Sequence, residues 1–343
     1  MPGKNLCLLS LDGGGVRGLS TLQILKQLME VIASEARLDS TPKPCAYFDM
    51  IGGTSTGGLL AIMLGRLEMS IDGCIAAYTK MSDGIFKRKH HRVKLWNGQI
   101  QGRFDTPELE RAIKEIVKKA GYEEDELLQN YENAPCKVFV CATSKLTSQI
   151  VHLTSYAQPR GGSDLLKATK IWEAARATAA ASSFFEPIRI DVGSYGEEFI
   201  DGATGANNPI VELWNQAQDL WPGKLEDNLK CLVSIGTGMA SIEPFKTGLL
   251  TIGETLVKIS TATEAVAENF QRTHNLLDEE NRYFRFNVKI GLEKIGLEEA
   301  SKTDTIMAVT RGYVQSHDVF KLMKRCGRSL GEREVQQSIS QFT

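Results

Sequence analysis

The chain has 343 residues, 42% of them hydrophobic and 24% charged, with 40 basic side chains against 42 acidic ones and a formal net charge of −2. That length and apolar content can bury one large core, and the near balance of charge excludes any global pull toward nucleic acid. Seven cysteines without Cys-x-x-Cys pairs predict reduced thiols, not a disulfide framework or a zinc site, and no apolar run approaches the length of a membrane span.

Leu6-Cys7-Leu8-Leu9-Ser10-Leu11 reads as a first, buried strand. It runs into Asp12-Gly13-Gly14-Gly15-Val16-Arg17-Gly18, and a helix follows over residues 20–33 with Leu22, Leu25, Leu28, Met29 and Ile32 on one side. The glycines therefore stand at a helix N-terminus, where bare backbone N–H groups favour an anion. Gly13-x-Gly15-x-x-Gly18 also has the spacing of a dinucleotide fingerprint, with Glu35 and Asp39 downstream for a ribose contact. Against that, Asp12 would turn a carboxylate on the pyrophosphate, and the Walker pattern with its Lys-Ser or Lys-Thr is absent. Glycines that do nothing but turn the chain are a third reading.

The second βα unit repeats the arrangement. Tyr47-Phe48-Asp49-Met50-Ile51 reads as a buried strand, Gly53-Thr54-Ser55-Thr56-Gly57 as a sharp turn, and residues 59–67 as a helix. Strand, tight turn and helix are the setting in which Gly-x-Ser-x-Gly presents a serine hydroxyl free of crowding. Two parallel strands that end in glycine-rich turns place both turns at the carboxyl edge of the sheet, where open α/β folds bind ligands. Acyl transfer needs that pairing, because each preorganised donor to the developing oxyanion lowers the barrier by roughly 3 kcal/mol.

Farther on, Phe86-Lys87-Arg88-Lys89-His90-His91-Arg92-Val93-Lys94-Leu95-Trp96 is a dense basic run, readable as a solvated loop or as a contact for anionic headgroups. Glu123-Glu124-Asp125-Glu126 reads as a solvated loop or helix start. Strands are predicted over residues 136–143, 150–154 and 230–235, and helices over 170–180, 209–218, 252–277, 305–324 and 332–341. Between them, Phe199-Ile200-Asp201-Gly202-Ala203-Thr204-Gly205-Ala206-Asn207-Asn208-Pro209 puts an acid at the end of an apolar strand, followed by small residues. Asp201 is a candidate general base, and a turn or helix-capping aspartate is the alternative. None of the five histidines, His90, His91, His152, His274 and His317, carries a sequence cue for catalysis.

Three of these blocks, Asp12-Gly13-Gly14-Gly15-Val16-Arg17-Gly18, Gly53-Thr54-Ser55-Thr56-Gly57 and Asp201-Gly202-Ala203, resemble in order and spacing the signature blocks of the patatin-like phospholipases. Ala175-Arg176-Ala177-Thr178-Ala179-Ala180-Ala181 and Leu232-Val233-Ser234-Ile235-Gly236-Thr237-Gly238 are similar to further family stretches, so the likeness runs from Leu6 to about Gly238. One departure is Ala203, where a second glycine is also accepted. The resemblance implies a Ser55–Asp201 dyad working through an acyl-enzyme, with no metal, cofactor or histidine. It also implies an oxyanion hole from Gly13, Gly14 and Gly15, with Arg17, Gly18, Gly53, Gly57 and Gly202 in support. Arg17 either steadies the loop, meets a phosphate or is a solvated first-turn residue.

The expected fold is a three-layer α/β arrangement: a mostly parallel sheet between helices, with residues 1–240 as the catalytic core and 241–343 as a mostly helical extension packed on the same domain. The expected substrate is a lipid met at a membrane surface, by a cytosolic enzyme that visits membranes without a transmembrane segment and without nucleic acid. Self-assembly or further C-terminal domains in a longer protein are also expected as possibilities. Two alternatives remain open: an α/β-hydrolase triad of Ser55, Asp201 and His274 or His317, and an effector or interaction domain of a larger signalling protein with regulated or lost hydrolase activity.

Overall fold

The computed structural model describes residues 4–87, 104–159, 163–182, 184–221, 223–239 and 252–331. Most of the basic run at 86–96 and the helix expected at 332–341 lie outside the described residues. The strands are β1 (Leu6–Leu11), β2 (Met50–Thr54), β3 (Lys137–Ser144), β4 (Ile150–Thr154), β5 (Ile188–Val192), β6 (Tyr195–Asp201), β7 (Leu229–Ile235) and β8 (Tyr283–Phe286). They form one sheet in the order β5-β6-β3-β2-β1-β7-β8, with β4 paired to β3. The run β3-β2-β1-β7-β8 is parallel throughout, and β4, β5 and β6 pair antiparallel at the other end.

At the centre of the parallel group all six residues of β1 are buried, as expected of a strand covered on both faces. Its alternate side chains enter two separate cores, Cys7, Leu9 and Leu11 on one side and Leu6 and Leu8 on the other. The larger core takes helices α1 (Gly18–Glu35), α2 (Thr56–Ala61), α3 (Ile71–Lys87) and α4 (Thr106–Lys119). Beyond the short helix α5 (Ser163–Ala168), α6 (Ile171–Thr178) also joins it. The opposite core takes the end of α7 (Ala203–Ala206) and α8 (Ile210–Leu220), and after the single turn α9 (Leu225–Asn228) it takes α10 (Ile252–Thr273) and α11 (Asn275–Glu279). The last pair, α12 (Thr303–Gln315) and α13 (His317–Gly331), returns to the first side and packs on α1. Helix, sheet and helix make three layers, as the sequence predicts.

Several boundaries differ. β2 starts three residues later than the apolar stretch that predicts it and continues through two glycines to Thr54. The helix after Ser55 begins at Thr56 and widens to π geometry over Ile62–Arg66. The single helix expected over 305–324 is two, broken at Ser316, whose extended backbone (ψ 144°) ends α12. β8 was not anticipated at all, and it carries the sheet past the 240 boundary by pairing Leu232–Ile235 with Tyr283–Phe286.

One register feature positions the site. Residues 139–141 of β3 pair with both β2 and β4, and Ala142 and Thr143 pair with both β4 and β6. β2 and β6 must therefore share one edge of β3 and meet end to end. β2 ends where Thr54 pairs with Cys141, and β6, running the other way, ends where Asp201 pairs with Ala142.

Candidate active site

Ser55 and Asp201 are the residues at which those two strand ends collide. Ser55 Oγ donates to Asp201 Oδ2 at 2.6 Å. The other carboxylate oxygen, Oδ1, accepts the Ala203 N–H at 2.8 Å, which fixes the carboxylate plane and leaves Oδ2 to the serine. Asp201 is buried with no cation beside it among the described residues, so loss of solvent drives its carboxyl up from 3.8 to about 7, only partly opposed by the bonds from Ser55 and Ala203. An aspartate of ordinary acidity is a poor proton acceptor, whereas one held near neutrality can take a serine proton and return it.

The serine sits on a strained backbone, with φ 55° and ψ −126°. Such a conformation costs of order 1–3 kcal/mol and persists only where the surroundings enforce it. Here Ser55 N–H donates to Thr178 Oγ1 (2.9 Å), whose own hydroxyl donates to Cys141 O (2.7 Å), so α6 clamps the turn against β3. The flanking glycines are sterically required. A Cβ at Gly53 would strike the Gly57 carbonyl, and one at Gly57 would lie between the carbonyls of Leu11 and Asp12.

That last contact brings the first glycine loop onto the second. A Cβ on Gly13 would stand 3.0 Å from Ser55 Cβ and would overlap Asn207 Oδ1. Gly13 N–H donates to Asn207 O (2.9 Å) and its carbonyl accepts from Thr237 Oγ1 (3.0 Å), while Thr54 Oγ1 donates to Ala206 O (2.5 Å). The turn after Asp201 thus holds both loops. The Gly15 carbonyl accepts from Tyr78 OH (2.7 Å) and Thr56 Oγ1 (3.1 Å), and Val16 N–H donates to Leu297 O. The Gly13 amide is thus already used, whereas the N–H groups of Gly14 and Gly15 have no acceptor among the described residues.

Behind the loop lies a buried ionic network. Asp12 Oδ2 accepts from Arg285 Nη2 at 2.6 Å, and the same guanidinium meets Glu264 Oε1 at 2.5 Å and Ser234 Oγ at 2.8 Å. Asn287 links Glu264 to the amide of Gly238. Burial lifts the Asp12 carboxyl to about 6 despite the arginine, and the two carboxylates hold Arg285 firmly protonated. Asp12 therefore faces away from the cleft into this network, and Glu35 pairs with Arg328 at the far end of α1. The pyrophosphate clash expected of Asp12 therefore does not arise, and Glu35, read as a ribose contact, is engaged by Arg328 instead.

The cleft is a mostly apolar cavity, about 810 Å³ with its mouth included, into which Gly13, Gly14, Gly15, Ser55 and Asp201 all open. Leu59, Met81, Ile85, Leu109, Phe184 and Phe185 form much of its wall. Arg17 also lines it, buried, with no acidic partner among the described residues, and desolvation lowers its guanidinium to about 10. Gly18 packs against Thr56 and Tyr78, and a Cβ on Gly202 would enter the Cys141 backbone, so both serve close approach.

No described histidine lines the cavity. His274 packs between the rings of Trp214 and Phe270 in the opposite core, His317 opens α13, and His152 pairs with Glu212. His90 and His91 lie outside the described residues. Among the described residues no cluster of metal-ligating side chains occurs, all seven cysteines are buried and none forms a disulfide, and no helix is long and apolar enough to cross a membrane. Sequence reasoning missed Thr178, Asn207, Tyr78, Glu264, Arg285 and Leu297. Only Thr178 and Asn207 lie within stretches it had singled out.

A family model described as patatin-like phospholipase matches residues 9–214. Phospholipase A I of Arabidopsis thaliana is 30% identical over 84% of this chain and 25% of its own length. Calcium-independent phospholipase A2-gamma of Mus musculus is 29% identical over 97% of this chain and 41% of its own. The cGAMP-activated phospholipase of Vibrio cholerae is 29% identical over 67% of this chain and 63% of its own. The chain thus spans between a quarter and about two fifths of the first two relatives.

Proposed function

The chain belongs to the patatin-like phospholipase family, and from that membership together with the cleft's geometry we propose that it is a metal-independent serine lipid acyl hydrolase. The observation that carries this reading is the 2.6 Å contact between Ser55 Oγ and Asp201 Oδ2 at the floor of an apolar cavity. Asp201 accepts the serine proton as Ser55 attacks the ester carbonyl. The Gly14 and Gly15 amides receive the oxyanion, and the proton then passes to the leaving alcohol. Water deacylates the enzyme by the same route in reverse order, with Asp201 as base.

The apolar wall suits an acyl chain, and the substrate we assign is a membrane lipid reached by peripheral contact from the cytoplasm. The cation of Arg17, which lines the cavity with no acidic partner among the described residues, favours an ester that carries a phosphodiester over a neutral glyceride. The names of the relatives point to the same substrate class.

A fluorophosphonate label with peptide mapping tests the assignment. Ser55 is expected to be the labelled residue, and Ser55→Ala is expected to abolish both labelling and release of fatty acid from phosphatidylcholine vesicles. Labelling at another serine, with hydrolysis intact in Ser55→Ala, refutes the dyad.

A further inference from the structure

The turn that leads from α7 into α8 carries Asn207 and Asn208, and their two side chains are used differently. Asn208 is buried and committed to structure: its Nδ2 donates to Thr263 O (3.0 Å) and its Oδ1 accepts from Ile210 N–H (3.1 Å). Asn207 is held through its backbone, by the bond from Gly13 N–H to its carbonyl (2.9 Å). Its carboxamide has no hydrogen-bond partner among the described residues, yet it lines the cleft together with Gly13, Gly14, Gly15, Ser55 and Asp201. Gly13 is what admits it. A Cβ on Gly13 would fall 2.2 Å from Asn207 Oδ1 and 3.3 Å from its Cγ, so the carboxamide fills the space that any other side chain there would need. The same point lies 3.0 Å from Ser55 Cβ, which places Asn207 Cγ and Ser55 Cβ at most about 6 Å apart.

Resting on the assignment of Ser55 as nucleophile, we propose that Asn207 is a further catalytic residue, whose side-chain NH2 donates a hydrogen bond to the oxyanion beside the Gly14 and Gly15 amides. As Ser55 Oγ bonds to the ester carbon, its proton goes to Asp201 and the carbonyl π pair moves onto the oxygen. When that pair returns, the bond to the alcohol breaks and the alcohol takes the proton. Bonds of about 1.4 Å, from Cβ to Oγ to carbon to oxygen, hold the oxyanion within about 4 Å of Ser55 Cβ. A nitrogen on a bond of about 1.3 Å from Asn207 Cγ can then meet it with a hydrogen bond of about 2.9 Å. Oδ1 rests over Gly13, so the NH2 is the end with donors to offer. A neutral donor suits this position. A cation so near Asp201 would hold its carboxyl low and weaken it as a base, whereas a carboxamide stabilises the oxyanion and leaves that acid raised by burial. The backbone bond from Gly13 fixes the donor before substrate arrives, and such preorganisation is what makes an oxyanion contact effective.

The test uses Asn207→Ala, which keeps the backbone carbonyl that Gly13 needs, and the isosteric Asn207→Asp, which removes the donor and adds a repelling charge. On p-nitrophenyl butyrate at pH 8, kcat/KM is expected to fall about 10²-fold in Asn207→Ala and at least as far in Asn207→Asp. Two inhibitors separate this role from a structural one: an alkyl trifluoromethyl ketone, whose adduct with Ser55 carries the oxyanion, and the alcohol of the same chain, which forms no adduct. The inhibition constant of the ketone should rise in step with the loss of kcat/KM, and that of the alcohol should stay within twofold. A folded Asn207→Ala with kcat/KM within threefold of the unmodified chain overturns the proposal, and so do two inhibition constants that rise by the same factor. If Asn207→Ala does not fold, Asn207→Asp decides by the same inhibitor comparison. Absence of both hydrolysis and Ser55 labelling in the unmodified chain is a different result: it refutes the nucleophile assignment itself, and the donor role with it.

Discussion

In the proposed mechanism Asp201 ties catalysis and stability to the same proton. Burial raises its carboxyl from 3.8 to about 7, so the folded protein holds a proton there over a range in which the unfolded chain releases it. The stability linked to the neutral carboxyl is complete below pH 3.8 and is lost as pH climbs through about 7. Activity runs the opposite way, since only the carboxylate can accept the Ser55 proton. On a soluble short-chain ester, kcat/KM is expected to rise with pH to a plateau above about 7. Asp201→Asn keeps the size of the side chain but has no titrating group, and it should cost 10²-fold to 10⁴-fold in kcat, the usual worth of a general base. It should also melt higher than the unmodified chain at pH 8, with that advantage shrinking toward pH 4. A pH–activity profile flat between 5 and 8, or a melting advantage independent of pH, would remove Asp201 from the base role.

At the scale of elements, what the sequence revealed followed from local steric demand. Gly53 and Gly57 flank a serine where a Cβ on either would strike backbone carbonyls, and the apolar run of β1 declares a strand buried on both faces. Asp201 was legible because a strand ends on it. The supports of the glycine loop were not, because they arrive from distant chain: Tyr78 from α3, Leu297 from the loop before α12, and Arg285 from a four-residue strand with a charge at its third position. An arginine in Tyr283-Phe284-Arg285-Phe286 breaks the apolar pattern by which a buried strand is read, and it does so because its partners are the buried carboxylate of Asp12 and the half-buried one of Glu264. Removing the cation while leaving two acids beneath the sheet edge is costly. Arg285→Met is expected to lose on the order of 3 kcal/mol in urea unfolding at constant m. Because Asp12 immediately precedes Gly13, kcat should fall with it. Arg285→Lys keeps the charge but cannot fork to Asp12, Glu264 and Ser234 together, and should fall between the two. Unaltered kcat in a folded Arg285→Met would show that the network does not hold the loop.

For the molecule as a whole, the decisive question is whether residues after 240 are an extension or part of the catalytic unit. A boundary at 240 leaves all three signature loops intact, yet it cuts the structure at four places at once. β7 loses its neighbour along Leu232–Ile235, and Asp12 loses the guanidinium that compensates its burial. Val16 N–H loses its acceptor at Leu297, and α1 loses the cover of α12 and α13, with Ile306, Val314, Met323 and Leu330 removed from the larger core. Each loss exposes apolar surface or strands a polar group, and the first also leaves β7 as the unpaired edge of the parallel sheet. A chain ending at residue 240 is therefore expected to be insoluble, or soluble without cooperative unfolding, and in either case to take no fluorophosphonate label at Ser55 under conditions that label the full chain. Recovery of a soluble 1–240 fragment that labels at the full-length rate would mean that the glycine loop holds its shape without β8, and that Arg285 and Leu297 merely pack against a site already complete.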